Sequence, residues 1–213
     1  MSLPKPYYEK DGITIYCADC RDILPHLPKV DLVLTDPPYG VGIDYASWDD
    51  TLENWKLLLG DVIPASRAVA DMVIMPSCQI KMMAWVYSFA APDWIIAWYK
   101  GSPGHCAWVG FNDWEPHFVW GKSKGCQMHD HFFVPCNENM GAYGHPCPKP
   151  LDWAVWLMNR ACPDHGSVID PFMGSGTTLV AAKKLNRRAI GIEIEERYCE
   201  IAVKRLAQGV LGI

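Results

Sequence analysis

Two acidic turns in this sequence carry residue types suited to chemistry on an amine. The first is Asp36-Pro37-Pro38-Tyr39-Gly40, which follows the run 31–35; the second is Asp170-Pro171-Phe172-Met173-Gly174-Ser175-Gly176-Thr177, which follows 167–169. Consecutive prolines fix the backbone of the first turn, so the Asp36 carboxylate and the Pro37 carbonyl can face one target together. Two fixed acceptors beside an aromatic ring suit a planar exocyclic amine. Its two N–H groups would go to Asp36 and the Pro37 carbonyl, its ring would stack on Tyr39, and its lone pair would point at an electrophile. Read alone, Asp36 to Tyr39 has a blander, less favoured reading as a polar turn that ends a strand.

The elements that must position these residues are legible as short apolar runs. The stretch 31–35 has the β-branched character of a buried parallel strand stopped by two prolines, which puts an acid at a strand's carboxyl end, where open α/β sheets bind ligands. The run 12–17 predicts another strand, with Asp19 just past its end. Apolar spacing over 51–70 is helical, with Thr51 as N-cap and Pro64 as a kink or break. A strand at 72–75, a helix at 79–90 and strands at 94–99 and 117–120 follow, the last two forming an antiparallel excursion at one sheet edge. The stretch 121–144 lacks periodicity, contains four glycines and reads as a loop facing the ligand edge. From Pro150 a helix buries Leu151, Ala154, Val155 and Met158. Strands at 167–169 and 189–192 enclose a helix at 178–185, and a helix at 196–208 buries Tyr198, Ile201, Ala202 and Leu206.

Strand, Gly174-Ser175-Gly176, helix, then a strand ending in Glu193 is the layout of a nucleoside-cofactor site. Glu193 lies 17 residues after Gly176, where an acid can chelate two ribose hydroxyls. The third glycine of a dinucleotide fingerprint is replaced by Thr177-Thr178-Leu179, which argues against a bound pyrophosphate.

Together these motifs resemble the S-adenosylmethionine-dependent DNA amino-methyltransferases, specifically the permuted β-type in which Asp-Pro-Pro-Tyr precedes the glycine-rich loop. The resemblance covers nearly the whole sequence. It implies a Rossmann-like α/β fold with a mostly parallel, doubly wound sheet of about seven strands and an antiparallel edge hairpin. It also implies one domain over 1–213, with a catalytic half at about 1–120, a short target-recognition loop at 121–144 and a cofactor half at 145–213. Asp36, Pro37, Pro38 and Tyr39 would be catalytic. S-adenosyl-L-methionine would be held by Asp19, Cys20, Asp36, His145, Lys149, Asp170, Phe172, Gly174, Ser175, Gly176, Thr177 and Glu193, with Asp19 on the adenine side. The family's strand near the target pocket corresponds to 115–119.

The implied reaction is methyl transfer to adenine N6 in double-stranded DNA, with the base flipped out and stacked on Tyr39. Asp-Pro-Pro-Tyr favours adenine; cytosine N4 is the alternative, followed by an RNA base and by a binding module without catalysis. Sequence-specific members carry a sizeable recognition insertion that this chain replaces with 121–144, so either its specificity is relaxed or a second subunit supplies the surface; a homodimer is expected.

Composition sets further bounds. Half of the 213 residues are apolar, enough for a substantial core. With no 18-residue apolar run and no cleavable leader, the expectation is a cytoplasmic protein of a bacterium, archaeon or phage. Nine cysteines without a secretory signal favour free thiols. The net charge is −5, yet over 100–150 four lysines balance four acids and five of the seven histidines collect, so an anionic partner is least repelled there. Lys122 and Lys124 are placed for phosphate. The set Cys126, His129, His131 and Cys136, with His105, Cys106, His117, His145 and Cys147 nearby, fits no paired Cys-x-x-Cys spacing, and no metal is expected. Trp108, Trp114 and Trp120 read as core rather than as base-stacking residues.

Overall fold

A computed structural model describes residues 3–45, 47–76, 80–101, 106–107, 110–111, 113–122, 129–135 and 148–208. In chain order the elements are β1 (Tyr8–Lys10), β2 (Ile13–Cys17), α1 (Cys20–Ile23), β3 (Val30–Leu34), β4 (Asp44–Tyr45), β5 (Trp48–Asp49), α2 (Leu52–Val69), β6 (Ala70–Pro76) and α3 (Ile80–Ala90). They continue as β7 (Trp94–Tyr99), β8 (Cys106–Ala107), β9 (Gly110–Phe111), β10 (Trp114–Gly121), β11 (His131–Phe133), α4 (Leu151–Ala161), β12 (Ser167–Asp170), α5 (Thr177–Lys184), β13 (Arg188–Glu193) and α6 (Glu196–Ala207).

Nine of these strands form one sheet in the order β1-β2-β13-β12-β3-β6-β10-β7-β11. Its centre, from β2 to β6, is parallel, while β1–β2 and both pairings of β10 are antiparallel. Period-2 alternation sends Leu32, Leu34, Met72, Ile74 and Val168 to one face, against α4, α5 and α6. Val33, Val73, Met75, Ile169 and Ile192 go to the other face, against α1, α2 and α3. This is a doubly wound sheet with a core on each side, and each fully buried Leu or Ile contributes about 1.5–3 kcal/mol.

Four expectations are revised. The sheet has nine strands rather than about seven, because β1 and β11 extend both edges. Within 121–144, β11 pairs parallel with β7 and buries Phe132, which stacks on Trp156 with ring centroids 4.2 Å apart; three residues are too few to show a period. The antiparallel excursion lies inside the sheet, because β10 pairs with both β6 and β7 and leaves β11 at the edge. Pro64 does not end α2, which runs unbroken from Leu52 to Val69. Pro64 is exposed and the residue four before it is Gly60, so the unpaired carbonyl there can turn to water.

Two buried faces are also rotated from expectation. α4 buries Trp153, Ala154, Leu157, Met158 and Ala161, leaving Leu151 and Val155 at the margin; α6 buries Cys199 in place of Ile201. Trp120 is core, whereas Trp114 is 46% exposed; Trp108 lies outside the described residues. No described helix is long and apolar enough to cross a membrane.

Candidate active site

The parallel strands β2, β3, β12 and β13 end on the same side: Asp170 and Glu193 are the last residues of β12 and β13, and Asp19 and Asp36 stand two residues past β2 and β3. All four line one cleft, together with Cys20, Pro37, Pro38, Tyr39, Lys149, Phe172, Gly174, Ser175 and Thr177. Most of the residues singled out from the sequence are thus brought together. Gly176 is not among the lining residues. It adopts φ 84°, and a Cβ there would lie 2.8 Å from the Ala202 Cβ, so this glycine serves the packing of α6 rather than close approach to a ligand. Lys122 is not brought to the cleft either: its N–H donates to the Asp71 carbonyl at the amino end of β6, opposite the strand ends that form the cleft. His145 and Lys124 lie outside the described residues, as do His105, Cys126, Cys136 and Cys147.

At one end of the cleft, the Glu193 carboxylate accepts the Gly174 N–H at 3.0 Å on Oε2 and the Glu195 N–H at 2.9 Å on Oε1. Each oxygen retains a lone pair toward the cleft. Burial nevertheless pushes the Glu193 carboxyl up to about 7, against the pull of those two N–H donors. Asp19 caps α1 by accepting the Arg21 N–H at 2.9 Å, and its carboxylate forks onto the Arg21 guanidinium at 2.6–3.1 Å, which holds it below the usual range. Burial raises the Cys20 thiol to about 12, so it carries no thiolate at neutral pH.

Asp170 ties the start of the glycine-rich loop to the residue that follows β3. Its Oδ1 accepts the Thr35 hydroxyl at 2.7 Å and the Phe172 N–H at 3.1 Å, and burial lifts its carboxyl to about 6 despite these bonds. Its ordinary value is 3.8, so the folded state binds this proton more tightly than the unfolded chain. The resulting stabilisation is complete below about pH 4 and is lost as pH rises through 6. Asp170→Asn keeps the acceptor oxygen and is neutral throughout. The variant should therefore gain about 2–3 kcal/mol over the wild type above pH 7 and nothing at pH 4, which urea unfolding at the two pH values would measure.

The Asp36 end of the cleft is built from three separated elements. Tyr39 Oη lies 2.6 Å from Asp36 Oδ1 and 2.9 Å from Glu115 Oε1 at the start of β10. Lys149 Nζ donates to Tyr39 Oη at 2.9 Å and stands 3.3 Å from both Asp36 Oδ1 and Glu115 Oε1. Lys100 closes the far side of Glu115 at 3.7 Å. Burial would raise the Glu115 carboxyl, yet the Lys149 ammonium holds it at about 2; Lys149 itself is raised, its burial outweighed by Asp36 and then Glu115. Behind them His117 is fully buried, and burial draws its imidazole down to about 4. Its Nε2 accepts the Trp153 indole N–H at 2.7 Å, which places the ring proton on Nδ1, facing the Glu115 carbonyl at 3.3 Å.

Other residues that shape the cleft escaped the sequence reading. Buried Asp50 accepts the N–H groups of Gly40, Val41 and Ile43 at 2.6–3.1 Å and so fixes the chain leaving Tyr39. Arg205 of α6 donates to the Ser175 carbonyl and hydroxyl at 2.7 and 3.0 Å and to the Thr177 hydroxyl at 3.2 Å. Thr177 in turn donates to the Lys149 carbonyl at 3.2 Å, tying the glycine-rich loop to the segment that carries Lys149. Glu115 heads the stretch 115–119 that the resemblance set near the target pocket, though no role was given to it; Asp50 and Arg205 had no local signal.

Comparison with known proteins agrees with this geometry. A family model described as a DNA methylase matches residues 106–204. The Type II methyltransferase M.ScaI of Streptomyces caespitosus is 26% identical over 96% of this chain and 84% of its own length. Among solved structures, the M1.HpyAVI–SAM complex superposes with a TM-score of 0.68 at 25% identity, covering 91% of this chain and 98% of that one. The cytosine-N4-specific PvuII DNA methyltransferase superposes at 0.74 with 17% identity over 98% of this chain and 91% of its own, a likeness of fold.

Proposed function

The chain is a β-type amino-methyltransferase of the N6-adenine/N4-cytosine class with a Rossmann-like fold, and from that premise we propose that it methylates adenine N6 in double-stranded DNA, with Asp36, Pro37, Pro38 and Tyr39 as the catalytic group. The observation that carries the proposal is the continuity of one cleft from Glu193 and Asp19 at its nucleoside end to Asp36 and Tyr39 at its amine end.

The methyl donor is S-adenosyl-L-methionine, which when bound supplies an electrophilic sulfonium methyl. The cleft's donor set fits it. Carboxylates dominate the wall that would meet a cation, Glu193 offers lone pairs to a ribose diol, and Phe172 and Ile194 supply apolar surface. Two buried polar atoms of lining residues, Trp48 Nε1 and Glu195 Oε1, have no hydrogen-bond partner among the described residues and so suit a polar ligand.

At the amine end, Asp36 and the Pro37 carbonyl would accept the two N–H groups of the target. An aromatic amine is a weak nucleophile because its lone pair is delocalised into the ring. Two acceptors placed on one side of the amine favour the pyramidal nitrogen that develops during transfer. In duplex DNA the base must leave the stack to reach this depth, with the Tyr39 ring as its platform. Asp36 at the head of the motif supports adenine over cytosine.

Incubating the protein with tritiated S-adenosylmethionine and unmethylated duplex DNA, then digesting to nucleosides, tests this reading. Label in N6-methyladenine is the expected result. Label in N4-methylcytosine would overturn the choice of base while leaving the chemistry, and label in RNA alone would overturn the substrate. The proposal extends to a homodimer joined through a sheet-side helix. It is supported by α3, whose Tyr87 and Phe89 are 47% and 45% exposed, and a monomeric mass by light scattering would refute it.

A further inference from the structure

Amine acceptance by Asp36 leaves two buried charged groups at the same end of the cleft without a task. Glu115 and Lys149 have side chains only 6% and 13% exposed, and they come from β10 and from the segment leading into α4. Burying charges this deeply is costly unless they are paired and hydrogen-bonded, and here the pairing converges on one phenol. The Tyr39 hydroxyl has a single proton but two carboxylate acceptors, Asp36 Oδ1 at 2.6 Å and Glu115 Oε1 at 2.9 Å. Its oxygen accepts from Lys149 Nζ at 2.9 Å, and that ammonium stands 3.3 Å from each of the same two carboxylate oxygens.

Asp36 Oδ1 is thus already engaged by Tyr39 and Lys149. A target N–H that takes Asp36 Oδ1 displaces the Tyr39 O–H from it. We propose that Glu115 is a positioning residue that receives the Tyr39 hydroxyl, and with it a larger share of Lys149, when Asp36 turns its oxygen to the target amine. The exchange moves one hydrogen bond from Asp36 to Glu115 and breaks no covalent bond. Every donor stays satisfied, and the negative charge of Asp36 becomes available to the nitrogen that is gaining positive charge. Lys100 at 3.7 Å and the Nδ1–H of His117 on the Glu115 carbonyl hold Glu115 in place for this role. The inference rests on the proposed role of Asp36 as amine acceptor.

The groups facing Asp36 are Tyr39, Lys149 and Glu115, with Asp170 farther along the cleft. Burial raises the Asp36 carboxyl, Lys149 lowers it and Glu115 raises it. Glu115→Gln removes the charge and keeps an acceptor oxygen. It should lower kcat by about 10- to 100-fold, the range of one hydrogen bond to a charged partner. The dissociation constant for S-adenosylmethionine should stay within about twofold, since Glu115 does not touch the nucleoside end.

The acid limb of the kcat–pH profile should move to lower pH in Glu115→Gln and to higher pH in Lys149→Met, opposite shifts that a packing defect would not produce. Glu115→Asp keeps the charge but withdraws the acceptor, and should lose kcat with no shift of the limb. It serves alone if Glu115→Gln does not fold. In a Tyr39→Phe background, where no hydroxyl needs a second acceptor, Glu115→Gln should add little further loss. Wild-type kcat and an unmoved limb in Glu115→Gln, or wild-type kcat in Glu115→Asp, would overturn the inference. Full activity of Asp36→Ala would instead overturn the reading beneath it, so the two failures are distinguishable.

Discussion

Asp36→Ala should lower the rate of methyl transfer by about 10²–10³-fold, the usual cost of removing one preorganised polar group at a centre of developing charge. Asp36 sits at the carboxyl end of β3 with its side chain 24% exposed, so truncation opens no large cavity. Lys149 would still be paired with Glu115 at 3.3 Å, and Tyr39 would keep Glu115 as acceptor at 2.9 Å. The loss should therefore fall on kcat, with the dissociation constant for S-adenosylmethionine changed by less than about threefold. Single-turnover transfer to duplex DNA, together with calorimetric titration of the cofactor, separates the two quantities. Asp36→Asn is the sharper companion: it keeps an acceptor oxygen but loses the charge, and should fall between the wild type and alanine.

Glu193→Ala should act at the other end, weakening S-adenosylmethionine by about 10²-fold, as expected for two hydrogen bonds to one carboxylate. Transfer at saturating cofactor should suffer much less. The Gly174 and Glu195 N–H groups, at 3.0 and 2.9 Å from the carboxylate, would also lose their acceptor, so part of the penalty is loosening of the glycine-rich turn. A pH titration isolates the carboxylate's share. Burial sets the Glu193 carboxyl at about 7, so wild-type affinity should rise with pH up to about 7 and then level off, while the alanine variant should lack this step. An unchanged dissociation constant in Glu193→Ala would show that the ribose is held elsewhere.

Both variants address residues that could be found without coordinates. A short apolar run ended by prolines, as before Asp36, or by a glycine-rich turn, as after Asp170, marks the carboxyl end of a buried strand. Side-chain alternation and proline's fixed φ are local properties, so the parallel strands at 30–34, 167–170 and 188–193 were readable with their terminal acids. The nucleoside layout spans only one strand, turn, helix and strand, and was equally legible.

What sequence alone determined, then, is the set of strand-end acids and the chemistry they suit, because each is specified within a few residues of itself. Tertiary structure decided how they are partnered. Glu115 meets Tyr39 across 76 positions of sequence and Lys149 meets it across 110, contacts created when β10 is inserted beside β6 and α4 is laid over the opposite face. The same long-range packing made Gly176 a spacer for α6, turned Asp50 toward three loop amides and carried Lys122 to the side opposite the strand ends that form the cleft. No local pattern encodes such pairings, because strand order is set by which faces can be buried together.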